Sequence, residues 1–195
     1  ANTGTTMFGS VDNPNVYTTI LEKHNLPFKL HVDAAYGGFV YPFLTDKNQL
    51  DFANKHVSSI TIDAHKMLQA PYGTGIFICR KGLIDNVLTK EAEYIEGMDL
   101  TLCGSRSGAN AVAVWMILFT YGPFGWFEKI SILQMRTQFL CKELDKLNIK
   151  YYREPFMNIV TIKAEFIPEK IAQKYDLVPQ QHSDDNKWYK IVLMD

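Results

Sequence analysis

The chain has 195 residues, of which 47% are hydrophobic and 13% aromatic, and its formal net charge is −1. This length supports one core, or one domain with a small appendage, and the composition excludes a disordered chain. Because acidic and basic side chains nearly balance, nothing favours a nucleic-acid partner or an anionic membrane surface. Three scattered cysteines, Cys79, Cys103 and Cys141, lack C-x-x-C spacing and are typical of reduced thiols in a cytoplasmic protein.

The first part of the chain predicts alternating helices and strands. Residues 14–25 have apolar residues at helical spacing, and residues 47–55 form a shorter helix candidate. Three runs rich in β-branched and aromatic residues, at 28–33, 57–63 and 75–80, read as strands. This order predicts an α/β fold with a mostly parallel sheet that is covered on both faces.

The second part predicts long helices followed by a smaller α+β unit. A helix is predicted from about residue 106 to 121, where Gly122-Pro123 breaks it, and a second helix spans 127–147. We therefore predict a large domain over residues 1–147 and a small C-terminal domain over 148–195. In the small domain we expect strands at 158–163 and 188–194, a helix at 168–175 and an exposed loop at 180–186; residues 83–100 are also predicted as mostly loop.

Two strands end in residues that carry chemistry. Asp33 lies in the run HVDAAYGG, and Lys66 closes the run SSITIDAHK. If both runs are buried neighbouring strands, a carboxylate and an amine meet at the edge where α/β sheets bind ligands. Pyridoxal phosphate needs this pair, because a lysine forms a Schiff base with its aldehyde and a carboxylate keeps its ring nitrogen protonated. Taken alone, Asp33 also reads as a strand-end cap and Lys66 as a surface lysine.

Four motifs, in order, resemble the group II pyridoxal phosphate-dependent amino acid decarboxylases, and most closely their microbial tyrosine/aspartate branch. The motifs are TGTT at 3–6, HVDAAYGG at 31–38, DAHKM at 63–67 and GSRSGA at 104–109. The resemblance implies pyridoxal phosphate fold type I, decarboxylation of a small-molecule L-amino acid to its amine and carbon dioxide, and a homodimer with the active site at the interface.

The resemblance also implies roles for individual residues. Lys66 would hold the cofactor, Asp33 would pair with the pyridine nitrogen, and Ala35 would pack on the ring. His65 would contact the phosphate or the imine region. Thr6 would reach the phenolic oxygen or the substrate carboxylate.

Three further candidates have ordinary structural alternatives. Tyr94 matches the mobile-loop tyrosine that returns a proton to the α-carbon, or it is an exposed loop aromatic. Arg106 would lie near the substrate, or form an ion pair at a helix start. The backbone amides around Gly75 would hold a phosphate, or form a plain turn.

The chain starts inside a motif without an initiator methionine and stops after a predicted strand. We therefore interpret it as a fragment of an enzyme about twice as long. Competing hypotheses are a carbon–carbon lyase similar to sphingosine-phosphate lyases, a cysteine desulfurase using Cys103, and an inactive fragment of such an enzyme.

Overall fold

The computed structural model describes residues 1–87, 106–180 and 187–194, which form two sheets and three α-helices. Helix α1 spans Asn15–Lys23, inside the predicted range. The Asn13 side-chain oxygen accepts a hydrogen bond from the Asn15 N–H at 3.1 Å, which satisfies one of the free donors at the helix start. No helix among the described residues is both long and apolar enough to cross a membrane.

The first sheet has the strand order β1-β2-β3, with β1 at Leu30–Asp33, β2 at Val57–Asp63 and β3 at Gly75–Cys79. Strands β1 and β2 are parallel, as predicted, but β3 runs antiparallel to β2. The connection over residues 64–74 contains no α-helix, and a parallel return needs a longer crossover. The sheet is therefore mixed. Within this chain, Phe77 and Ile78 of β3 are about half exposed.

The predicted helix over residues 47–55 is wrong, because this segment forms a series of turns. The side-chain oxygens of Asn48, Asp51 and Asn54 each accept a hydrogen bond from the backbone N–H two residues later, at 2.8–3.0 Å. Such local bonds compete with the helical pattern, and three in succession stabilise turns instead.

Helix α2 spans Gly108–Lys146 and has a kink at Gly122, where φ is 58° and ψ is −177°. This positive φ suits glycine, and Pro123 follows it, so the predicted break is confirmed as a kink. After the kink, Trp126 is buried, and its indole N–H donates to the Phe39 carbonyl at 2.8 Å. Ile130 joins the same core, which fixes α2 against the loop that follows β2.

The second sheet has the order β4-β5-β7-β6 and is antiparallel throughout. Its central strand β5 is almost completely buried and packs on Cys141 and Leu144 of α2. Its elements are β4 at Tyr151–Tyr152, β5 at Ile159–Lys163, α3 at Glu169–Lys174, β6 at Val178–Pro179 and β7 at Trp188–Val192. The predicted strands and helix of this region are confirmed, with slightly shorter bounds.

Candidate active site

A cavity of about 420 Å³ lies where β1 and β2 end, between the N-terminal loop and strand β7 of the second sheet. It brings together Asp33, Ala35, Lys66 and Thr6, which the sequence analysis singled out. The remaining lining residues are Asn2, Gly4, Thr5, Tyr36, Ile159, Lys190 and Val192. The cavity is therefore formed by segments from both ends of the chain.

Asp33 is the last residue of β1, and its side chain is exposed at the cavity. Its Oδ1 accepts a hydrogen bond from the Ala35 N–H at 3.0 Å, which orients the carboxylate at the strand end. Among the described residues the Asp33 side chain has no other hydrogen-bond partner, so its second oxygen remains available to a ligand. Ala35 adds only a methyl group to the cavity wall, and Ala34 turns into the core.

Lys66 follows the end of β2 in a turn, where its N–H donates to the Asp63 carbonyl at 3.2 Å. Ala64 and Met67 are buried on either side and hold this turn against the core. The Lys66 side chain is 41% exposed, and its Nζ lies 3.0 Å from Asp63 Oδ2. The sequence analysis missed this ion pair, although the i,i+3 spacing of the two residues in DAHK was a usable signal.

Three predicted residues do not line the cavity. The His65 Nε2 lies 3.8 Å from Asp63 Oδ2, and its ring is 5.2 Å from that of Tyr72. Gly75 begins β3, opposite Asp63 in the sheet register. Arg106 is exposed just before α2. Tyr94 lies outside the described residues, so its predicted role has no structural counterpart here.

Lys190 is a cavity residue that the sequence analysis did not identify. It lies on β7, and its Nζ donates to the Thr6 carbonyl at 3.1 Å, which places a cation beside the N-terminal loop. Partial burial lowers the pKa of Lys190 below its ordinary value. No local signal marks this residue, because the sheet partners that bring it to the cavity are distant in sequence.

Tyr36 lines another part of the cavity wall, and its hydroxyl is held by a residue outside the cavity lining. Its hydroxyl donates to Asn158 Oδ1 at 2.9 Å. Burial raises the pKa of Tyr36 to about 12, so the phenol stays protonated and remains a hydrogen-bond donor at neutral pH.

These residues fit pyridoxal phosphate. A carboxylate with a free oxygen and an amine stand at the ends of adjacent parallel strands, and both face one cavity. The methyl group of Ala35 leaves room beside a flat ring. Lys190 adds a positive charge at the side of the N-terminal loop.

A lysine and an aspartate around one cavity at the strand ends are typical of an α/β fold that binds its ligand at the carboxyl edge of the sheet. Residues 1–161 match the family model for the pyridoxal-dependent decarboxylase conserved domain, and the chain belongs to this family.

Curated relatives agree with this assignment. The chain is 60% identical over its whole length to a tryptophan decarboxylase of Clostridium sporogenes, of which it covers 47%. It is 36% identical, over 88% of its length, to a probable L-tyrosine/L-aspartate decarboxylase of Methanococcus aeolicus, of which it covers 45%. The chain thus spans about half the length of the curated relatives it matches.

Solved structures share the fold. The chain superposes on a sphingosine-1-phosphate lyase of Burkholderia pseudomallei with a TM-score of 0.82 and 18% identity, covering 99% of this chain and 46% of the other. For a glutamate decarboxylase of Lactobacillus brevis the TM-score is 0.80 and the identity 23%, with coverages of 98% and 49%. At these identities the likeness concerns the fold alone, and it confirms the predicted fold type I.

Proposed function

We propose that the full-length protein decarboxylates an L-amino acid to the corresponding amine and carbon dioxide, with pyridoxal phosphate as cofactor. One observation carries the proposal: Asp33 and Lys66 face the same cavity from the ends of adjacent parallel strands. Family membership over residues 1–161 supports it.

In this proposal the chain supplies orientation and charge. Bound pyridoxal phosphate supplies an electron sink for the bond that breaks between the α-carbon and the carboxylate. Lys66 provides the amine that attaches the cofactor, and Asp63 Oδ2, which lies 3.0 Å from Lys66 Nζ, orients that amine. Asp33 keeps a proton on the ring nitrogen. The support is its second carboxylate oxygen, which has no hydrogen-bond partner among the described residues.

The other predicted residues complete the proposal. Ala35 packs against the ring, and Thr6 hydrogen bonds to the cofactor or the substrate carboxylate. His65 contacts the phosphate or the imine region, and the backbone amides at Gly75 hold a phosphate; neither residue lines the cavity of this chain, so both roles rest on the family resemblance. Arg106 approaches the substrate, and Tyr94 returns a proton to the α-carbon.

An aromatic amino acid is the substrate we propose, with tryptophan as the first candidate. The support is the 60% identity to a tryptophan decarboxylase across the whole chain, compared with 36% to the tyrosine/aspartate relative. The cavity itself does not select a side chain.

We further propose a cytoplasmic homodimer, with residues 1–147 belonging to the cofactor-binding domain and residues 148–195 to a small C-terminal domain. The three scattered cysteines support a cytoplasmic location, because this pattern is typical of reduced thiols. The dimer and the division into domains rest on resemblance to the family.

The competing lyase functions have weaker support. The sphingosine-1-phosphate lyase shares the fold at 18% identity, which does not extend to its reaction. A desulfurase would need a nucleophilic cysteine, and the candidate, Cys103, lies outside the described residues. Neither observation favours these reactions over decarboxylation.

The test is to add pyridoxal phosphate to the full-length protein, reduce with borohydride and map the modified peptide by mass. We expect one pyridoxyl adduct, at Lys66. It should be absent in Lys66→Ala and retained in the control Lys47→Ala, since Lys47 is exposed and does not line the cavity.

Carbon dioxide release is then measured with tryptophan, tyrosine, aspartate and glutamate. Release with tryptophan, lost in Lys66→Ala, supports the proposal. Consumption of an amino acid without carbon dioxide contradicts it, and an adduct that survives in Lys66→Ala contradicts the role of Lys66.

A further inference from the structure

Asn158 is a buried amide that lies between the two sheets. It directly precedes β5, and its side chain is only 1% exposed. A buried amide is costly unless its oxygen and nitrogen both find partners, so its contacts fix the groups around it.

The Asn158 side chain satisfies both of its polar atoms, and it does so with different segments. Oδ1 accepts the Tyr36 hydroxyl hydrogen at 2.9 Å. Nδ2 donates to the Leu193 carbonyl at 2.8 Å and lies 3.7 Å from the sulfur of Met67. Exchanging the two amide atoms would place oxygen against the Leu193 oxygen, so the orientation of the amide is determined by its partners.

The partners of Asn158 belong to the segments that carry the candidate site. Tyr36 follows Asp33 and Ala35 in the loop after β1 and itself lines the cavity. Met67 directly follows Lys66 and is buried. The third partner, Leu193, lies just beyond β7, which carries Lys190. One side chain therefore contacts the flanks of three of the segments that line the cavity.

We propose that Asn158 is a positioning residue, which holds the Tyr36 loop, the Lys66 turn and the end of β7 in the register that places Asp33 and Lys66 on one cavity. The predicted effect of Asn158 on turnover rests on the proposed function. The predicted effect of Asn158 on the positions of these segments does not depend on that function. Asn158 does not line the cavity, so it acts through its partners.

The test compares Asn158→Leu with a matched control in the full-length protein. Leucine has a similar size but leaves the Tyr36 hydroxyl and the Leu193 carbonyl without their partner. The control is Thr161→Val, because Thr161 is buried on β5, donates one hydrogen bond to the Tyr152 carbonyl at 3.3 Å, and does not line the cavity.

The first readout is hydrogen–deuterium exchange without cofactor, in peptides covering residues 33–40 and 63–70. We expect exchange in both segments to be at least about tenfold faster in Asn158→Leu and unchanged in Thr161→Val. Equal exchange in the two variants overturns the proposal. Tyr36→Phe is the milder variant should Asn158→Leu not fold, and it should accelerate exchange in residues 33–40.

The second readout is steady-state kinetics below the unfolding temperature of every variant. We expect kcat to fall about 10- to 100-fold in Asn158→Leu and to change less than about twofold in Thr161→Val. Adding Tyr36→Phe to Asn158→Leu should not lower kcat further, because the Tyr36 hydroxyl acts through its hydrogen bond to Asn158, which the first substitution already removes. A wild-type protein that releases no carbon dioxide rejects the proposed function, while the exchange experiment still decides the role of Asn158.

Discussion

Local backbone bonds orient the Asp33 side chain and close the turn that carries Lys66. The Asp33 carboxylate is oriented by the Ala35 N–H, and the turn at Lys66 is closed through the Asp63 carbonyl. Neither residue depends on the other for its local conformation. A single substitution can therefore remove the charge of one residue and leave the backbone around both unchanged.

Asp33→Asn tests the charge without disturbing the turn. Asparagine Oδ1 can accept the same bond from the Ala35 N–H, so we expect an unchanged unfolding temperature. Loss of the negative charge opposite the ring nitrogen should lower kcat about 100-fold or more. Asp12→Asn is the control, since Asp12 binds the Asn2 amides at 2.8 and 3.2 Å as a structural residue. Equal activity of Asp33→Asn and wild type would contradict the assigned role.

Tyr36 gives the protein a specific dependence on alkaline pH. Burial raises the pKa of Tyr36 to about 12 from 10.0, so the unfolded chain loses this proton first and stability falls as the pH rises through that window. We expect wild type to exceed Tyr36→Phe by about 1 kcal/mol near neutral pH, because of the bond to Asn158.

The difference in unfolding free energy, wild type minus Tyr36→Phe, should fall by about 2 kcal/mol between about pH 10 and 12, so that Tyr36→Phe becomes the more stable protein at the alkaline end. Urea unfolding of both proteins across this range measures it. Tyr72→Phe is the control, because Tyr72 is 91% exposed and should show no such trend. A stability difference that stays constant with pH would refute the argument.

At the scale of elements, the N-terminal residues extend the first sheet. The Asp33 N–H donates to the Ala1 carbonyl and the Thr3 N–H to the Asp33 carbonyl, both at 2.8 Å, so residues 1–3 run beside β1. The Gly37 N–H then donates to the Thr3 carbonyl at 2.9 Å. This bond closes the N-terminal loop over the residues that follow Asp33, which forms one wall of the cavity.

Gly37→Ala should therefore disrupt this contact. A Cβ at Gly37 would collide with the Thr3 carbonyl, a backbone group that cannot rotate away. We expect a loss of about 1–3 kcal/mol in the free energy of unfolding, together with weaker cofactor binding. Gly108→Ala is the matched control, because a Cβ there meets no atom within 4 Å. Equal denaturation midpoints for the two variants would show that Gly37 does not need to approach the Thr3 carbonyl closely.

At the scale of the whole molecule, the burial of the large side chains of α2 changes around its kink. Trp126 and Ile130, after the kink, are buried in the core, whereas Trp115, Phe119 and Phe124, on either side of it, are 60%, 76% and 87% exposed. The stretch 115–126 is apolar and aromatic, a composition that is typical of either a core or an interface. The structure assigns only its end to the core, and exposed aromatic patches of this kind favour a partner surface.

Phe119→Asp tests the proposed homodimer at this surface. A charge in an apolar interface is expected to shift the full-length protein from dimer to monomer at micromolar concentration, as measured by light scattering. Phe139→Asp, at a somewhat less exposed position after the kink (65% against 76% for Phe119), should leave the mass unchanged. A dimer that persists in Phe119→Asp would exclude this face as the interface.

The sequence by itself determined the features that depend on neighbouring residues. Strand β2 has the predicted bounds, the break at Gly122 was predicted from glycine and proline alone, and Asp33 and Lys66 were identified from motifs at strand ends. The segment 47–55, which was wrongly predicted as a helix, also depends on neighbouring residues. Its asparagine and aspartate side chains accept hydrogen bonds from the backbone N–H groups two residues later.

Only the tertiary structure decided what depends on distant contacts. The direction of β3, the burial of Trp126, and the presence of Lys190 and Asn158 at the site depend on contacts between distant segments. The bond from Lys190 to Thr6 joins residues 184 positions apart. Periodicity and turn residues report how a segment folds locally, whereas a cavity is set by which faces pack together, and that is fixed when the whole core forms.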